Sequence, residues 1–408
     1  LRTHLAGQRG EEAVRAAHAA VAGAGAATWP WREAINEFAN AGEEAAAAAL
    51  LTQATDAMLP GREADWLALA ADLPRLPLAA HLRALLPRLA PADGEQRLAG
   101  ARLALRDGAF VQAEAWLADP VPAEHGVQFR HARILLGRAR RLLSLPQGDA
   151  DLPGDTFATL AGRAARTPPD LSFGGPVVMA NRSLAAGGAE RQLVVSLVGL
   201  ARRLGGAEAV RLLCTDLRAD PARRVNMPPL DRAGIEVEDL SEGPSPVPEG
   251  LDPEIADLLD LLGRDLADPI LRLRAAFLRH RPRVVHLWQD RTSVDGAIAA
   301  LLAGVPRIVL GARSTRPSTH KRLLPYLHPA YRALWRDPRI VLANNSAMGA
   351  RDYEDWLDLP PGTISVVNNG FDFATMDARA TPEAVARARA AIAAPPGAPV
   401  IGNVARLT

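Results

Sequence analysis

The sequence predicts an α/β protein: a doubly wound parallel sheet preceded by an all-α helical-repeat domain. Three observations predict it. From residue 1 to about 166 the chain is alanine, leucine and arginine at helical spacing, cut by short Gly, Pro and Asp breaks. Residues 167–175 are a break bearing Pro, Gly and Ser. Beyond it short β-branched runs alternate with helical stretches, an order that makes a parallel sheet with helices on both faces.

The helical region (1–166) contains related units. Gly-Glu-Glu-Ala opens at Gly10 and again at Gly42, and Gly-Ala-Phe-Val-Gln-Ala opens at Gly108. The starts are 32 and then 66 residues apart, close to one and two steps of the ~33-residue period of paired-helix solenoids. The intervening unit would fall at 75–89, where glycine is absent and prolines stand at 74, 77 and 87. Residues 102–119, with Leu105, Gly108, Ala113 and Leu117 at packing positions, resemble a tetratricopeptide unit. Such a unit reads equally as a packing spacer and as a groove for a protein partner.

In the second region strands are expected at 176–180, 210–215, 235–239, 284–287, 307–311, 340–343 and 364–367. A further strand at 400–404 would open another domain. Helices are expected at 189–204, 252–280 and 294–303, and the acidic, proline-bearing 241–252 reads as a surface loop.

Composition narrows the functions. Hydrophobic residues at 48% and charged ones at 23% make a soluble, folded chain and argue against long disorder. Lys+Arg 47 against Asp+Glu 46 leaves +1, so no global field draws the chain to nucleic acid. The one lysine, Lys321, lies between His320 and Arg322, which excludes a Walker A loop. Cys214 is the only cysteine and no Cys/His cluster has zinc spacing, which fits a reducing cytoplasm without structural zinc. The longest uncharged apolar runs are about half the ~20 residues of a membrane span. The chain opens at Leu1 and closes at Thr408, directly after a strand-like run, so a piece of a longer protein is expected.

In open α/β sheets ligands bind past the carboxyl ends of the strands, so the residues there are the candidates. After the first strand, Gly187 and Gly188 open a helix, where bare backbone N–H groups suit a phosphate; a plain tight turn fits them as well. His286 and Asp290 flank Trp288 at the end of a buried strand and are candidate sugar contacts, with a core histidine as the alternative. Arg313 and Ser314 follow the next strand, and an arginine there suits an anionic or polyhydroxyl ligand. Asn345 and Asn369 stand beyond the last two strands, although Asn-Gly is also an ordinary turn pair.

Taken in order, these residues resemble the amino-terminal half of glycosyltransferase family 4, retaining enzymes of the GT-B fold. Its Gly-Gly-x-Glu-Arg loop is matched by Gly187, Gly188, Glu190 and Arg191. Its Val-Val-His strand and Ala-Gly-Val-Pro turn are matched at 284–286 and 303–306, and its Val-x-Asn-Gly-Val/Ile-Asp by Val367, Asn369, Gly370, Phe371 and Asp372. The opening of its second domain is matched at 402–407, with Ala405 in place of a glycine, and Trp288 stands where many relatives have a second histidine. The family's Glu-x7-Glu motif and following lysine are not in these residues. The resemblance implies a GT-B amino-terminal Rossmann-like domain at 176–372, a connection at 373–398 and the start of the nucleotide-sugar domain at 399–408. It implies transfer of a sugar from a nucleotide-diphosphate sugar to a sugar, lipid-linked or other hydroxyl acceptor, without metal or other cofactor. Gly187, Gly188 and Arg406 would hold the donor diphosphate, and His286, Asp290, Arg313, Ser314, Asn345 and Asn369 would line the acceptor side.

The expected setting is bacterial envelope or exopolysaccharide synthesis in the cytoplasm, with little catalysis by these residues alone. Residues 311–336, where Arg313, Arg316, Lys321, Arg322, Arg332 and Arg336 are interleaved with Tyr326, Tyr331 and Trp335, could dock on an anionic membrane; a solvated basic loop is the plainer reading. Two other functions stay open: a helical scaffold carrying a non-catalytic sheet domain, and a GT-B-type sugar-nucleotide epimerase.

Overall fold

The computed structural model describes residues 27–401, apart from 42, 318–323, 372, 374–376, 379 and 396. Helices fill the chain from Trp29 to Ala164, and the first strand begins at Gly175. Helix Gly94–Asp107 shows why such segments start and stop. The Asp93 side chain accepts from the Gln96 N–H, and Gly108 ends the helix at φ +85°. A Cβ at Gly108 would run into the Ala150 carbonyl, so the glycine is needed both for its φ and for that close approach. The units expected to open at Gly10 and Gly42 begin outside the described residues.

The seven strands are β1 (Gly175–Asn181), β2 (Val210–Cys214), β3 (Val237–Asp239), β4 (Pro282–Trp288), β5 (Ile308–Ala312), β6 (Ile340–Asn344) and β7 (Ser365–Val366). They form one parallel sheet in the order β3-β2-β1-β4-β5-β6-β7. Val177 of β1 stands in register with Val210 on one side and Val284 on the other. The two faces bury different cores. Met179, Leu212 and Trp288 pack against Leu193, Val194 and Leu197 of helix Gly188–Leu204. Val178, Ala180, Leu213 and Leu287 pack under helices Arg264–His280 and Asp290–Ala303 in a larger core, which continues into the amino-terminal helices.

Two expectations are corrected. The long helix expected at 252–280 is two, Pro253–Leu262 and Arg264–His280, divided at Gly263, whose φ of +79° breaks the run. Residues 400 and 401 are not in a strand, and the rest of the expected 400–404 strand, with Arg406, lies outside the described residues.

The break at 167–175 is a fastened connector. Buried Arg339, paired with buried Asp337 at 2.7 Å, donates to the carbonyls of Thr167 (2.8 Å) and Ala165 (3.2 Å). Further in, Phe157 from the last amino-terminal helix stacks on Tyr326 at 4.2 Å. Among the described residues no helix is long and apolar enough to cross a membrane.

Candidate active site

β1 and β4 are neighbours although three strands apart in the order of the chain. The winding reverses between them, and at such a switch point open α/β sheets form their ligand crevice past the carboxyl ends of the strands. On the β1 side, Gly187 caps helix Gly188–Leu204 in an extended conformation, and Gly188, its first residue, is exposed. On the β4 side stands Gln289, at φ +67° and ψ 154°, a region essentially reserved for glycine and costing ~1–3 kcal/mol. Its amide donates to Glu190 Oε1 at 2.7 Å. The other Glu190 oxygen lies so close to Gly187 that a Cβ there would collide with it. A carboxylate of the chain thus sits over a helix start that favours negative charge.

The other rim is built on Trp288. The Arg313 guanidinium lies 4.0 Å above its ring and donates to Asn369 Oδ1 at 2.6 Å. His286 sits 5.3 Å from the same ring, and its Nε2 faces the bare Cα of Gly311. Burial, with a smaller push from the Arg313 cation, lowers the imidazole to about 4, so it is neutral near pH 7. Trp288 Nε1 and Arg313 Nε have no hydrogen-bond partner among the described residues. Gln192 closes the ring, its amide exchanging two 2.9 Å bonds with the Gly370 backbone.

The crevice therefore gathers Gly187, Gly188, His286, Arg313 and Asn369 of the expected set. Asp290 faces elsewhere: its Oδ1 accepts from the hydroxyls of Tyr331 (3.0 Å) and Tyr353 (2.5 Å), anchoring the helix start to the core. The Ser314 hydroxyl donates to the Thr315 carbonyl, and Asn345 takes part through its carbonyl, which accepts from Asn368. Sequence reasoning missed Gln289 and Gln192, although a polar residue between strand end and helix start was a signal for the first. The aromatic residues of 311–336 are not interfacial. Tyr326 and Tyr331 are buried and Trp335 packs against the core, while Arg316 and Arg332 pair with Asp352 and Asp358. Burying those rings in the core takes from the segment the aromatic pair a bilayer contact would use. Lys321 and Arg322 lie outside the described residues.

Residues 187–375 match the sequence profile of Glycosyltransferase Family 4, beginning at the glycine that caps the crevice helix. This stretch, just under half of the chain, is similar to family 4 glycosyltransferases. The Vi polysaccharide biosynthesis protein VipC/TviE of Salmonella typhi is similar to it at 29% identity over 269 residues, covering 60% of this chain. That stretch spans 46% of the Salmonella protein, about half its length. A mutant O-GlcNAc transferase of Thermobaculum terrenum aligns over 86% of this chain and 76% of its own at 11% identity, with a TM-score of 0.23. The crevice stands where the profile match starts and the winding of the sheet reverses.

Proposed function

We propose that the protein belongs to a retaining glycosyltransferase that moves a sugar from a nucleotide-diphosphate donor to a hydroxyl acceptor in polysaccharide assembly, on the cytoplasmic side of the membrane. The observation that supports this most is the family match opening at Gly187, at the switch point of the sheet. In this reading 1–166 is a helical domain, 167–175 a connector and 176–372 the acceptor-side domain, followed by a connection at 373–398 and a donor domain from 399. The leaving diphosphate gathers negative charge as the sugar departs. Free N–H groups at Gly188, the helix dipole and Arg406 would meet that charge in place of a metal ion. Glu190, which covers the helix start, swings aside when the diphosphate enters.

The test is Gly188→Asp in the full chain. Nothing lies within 4 Å of where its Cβ would stand, and an acidic residue in the first helical turn favours the helix, so the fold is kept. Transfer from a panel of nucleotide-diphosphate sugars is expected to fall at least about a hundredfold, as when one oxyanion donor is lost. Undiminished transfer with an unchanged circular dichroism spectrum would refute the role of the helix start.

A further inference from the structure

A second concavity lies next to the crevice on the opposite face of β1. Val178 and Ala180 point into the larger core, so by strand alternation Arg182 emerges on that side, and Thr215 does the same after Leu213 of β2. With the starts of helices Arg264–His280 and Asp290–Ala303 they enclose about 370 Å³, within the small-molecule range. None of the expected site residues lines it.

Its charge is unbalanced in a particular way. The Asp216 carboxylate, nearly buried, receives three guanidiniums: Arg182 at 2.9 Å, Arg218 at 2.7 Å, and Arg223. Asp220 shares Arg223 at 3.3 Å, so three guanidiniums meet two carboxylates and one positive charge is left over. Arg218 reaches it from a left-handed backbone conformation at φ +46°, which side chains other than glycine adopt at a cost. On the facing wall Arg291 lies 3.6 Å from Asp295, whose side chain is 5% exposed and whose Oδ1 has no hydrogen-bond partner. Burial pushes the Asp295 carboxyl up to about 7 against the partial offset of Arg291, so it is a weak counter-charge. The remaining acids do not redress this: Asp268 is paired with Arg272 at 2.6 Å, and Glu242 is exposed.

We propose that this cavity binds an anionic oxygen group, a carboxylate or a phosphate, borne by a sugar on the acceptor side, with Arg182, Arg218 and Arg291 donating to it. Asp295 Oδ1 takes a hydroxyl of the same sugar. The words sugar and acceptor rest on the glycosyltransferase reading; the binding of an anionic group does not.

Isothermal titration of the full chain with D-glucuronate, glucose 6-phosphate and glucose tests it. At least one charged sugar is expected to bind about tenfold or more tightly than glucose, and the identity of that sugar tells carboxylate from phosphate. Arg218→Gln and Arg291→Gln are each expected to weaken it by about tenfold or more, one charge-assisted hydrogen bond apiece. The Arg218 side chain is 67% exposed, so its variant keeps the fold even if that of Arg291 does not. The proposal falls if neither charged sugar outbinds glucose, or if Arg218→Gln binds the charged sugar as wild type does. Charged-sugar binding in a protein that transfers no sugar would overturn the enzymatic reading and leave the cavity assignment standing.

Discussion

Asp295 lies within helix Asp290–Ala303, in a run of valine, glycine, alanine, isoleucine and leucine. Burial raises its carboxyl from 3.8 to about 7, with Arg291 resisting. For an acid raised in the folded state, the native form holds a proton that the unfolded chain gives up. Stability is therefore complete below about pH 3.8, falls as pH rises toward about 7, and stays at its lower level above. That rise of the carboxyl is worth ~4 kcal/mol, of which ~2 kcal/mol falls between about pH 5.5 and about pH 8.5. Asp295→Asn keeps the shape and removes the titration. Between those two pH values wild type is expected to lose ~2 kcal/mol relative to the variant, or ~4–8 °C in Tm for a domain of this size. Thermal unfolding followed by circular dichroism at both pH values measures it. Two melting curves that shift in parallel would refute the reasoning, because Asp295 would then be ionised in the fold throughout.

Gln289→Gly should relieve the strained backbone and raise stability by ~1 kcal/mol net while sacrificing the bond to Glu190; a lower urea midpoint would contradict the strain. Gly311→Ala would set a Cβ 2.9 Å from His286 Nε2 and 3.1 Å from the Leu287 carbonyl, at a cost of ~1–3 kcal/mol, and an unchanged Tm would count against that packing. Phe157→Ala should cost ~3–5 kcal/mol in chemical unfolding, since the ring is buried and stacked on Tyr326; a loss under ~1 kcal/mol would mean that the two regions fold without each other's support.

The five inner strands were legible because each is a short β-branched or leucine-rich run that the sheet buries, and the observed ends of all seven lie within about two residues of those expected. The divided helix at Gly263 was not, because the apolar period of 252–280 continues across the glycine while the backbone does not. At the crevice, local order sufficed for Gly187 and Asn369, which motifs mark. It could not show that Gln289 reaches Glu190, 99 residues away, or that Asp290 turns to two tyrosines. The same limit misplaced Tyr326 and Tyr331. Arginines beside aromatic rings look interfacial in one dimension, yet the rings and the charges leave the backbone in different directions. Asp295 was readable in principle, as one acid in a ten-residue stretch otherwise without charge, 294–303.

The stacking of Phe157 on Tyr326, with Arg339 holding the carbonyls of Thr167 and Ala165, bears on how such a chain is inherited. A helical block joined by a slack tether could be exchanged between genes as a unit, each copy keeping its own sheet. This block cannot move alone, because its last helix completes a core whose other half is written more than a hundred and sixty residues later. A recombination event that replaced one half would strand Tyr326 and Leu327 in water. Lineages carrying this arrangement would be expected to vary the two halves together, with compensating changes at 157, 326 and 339.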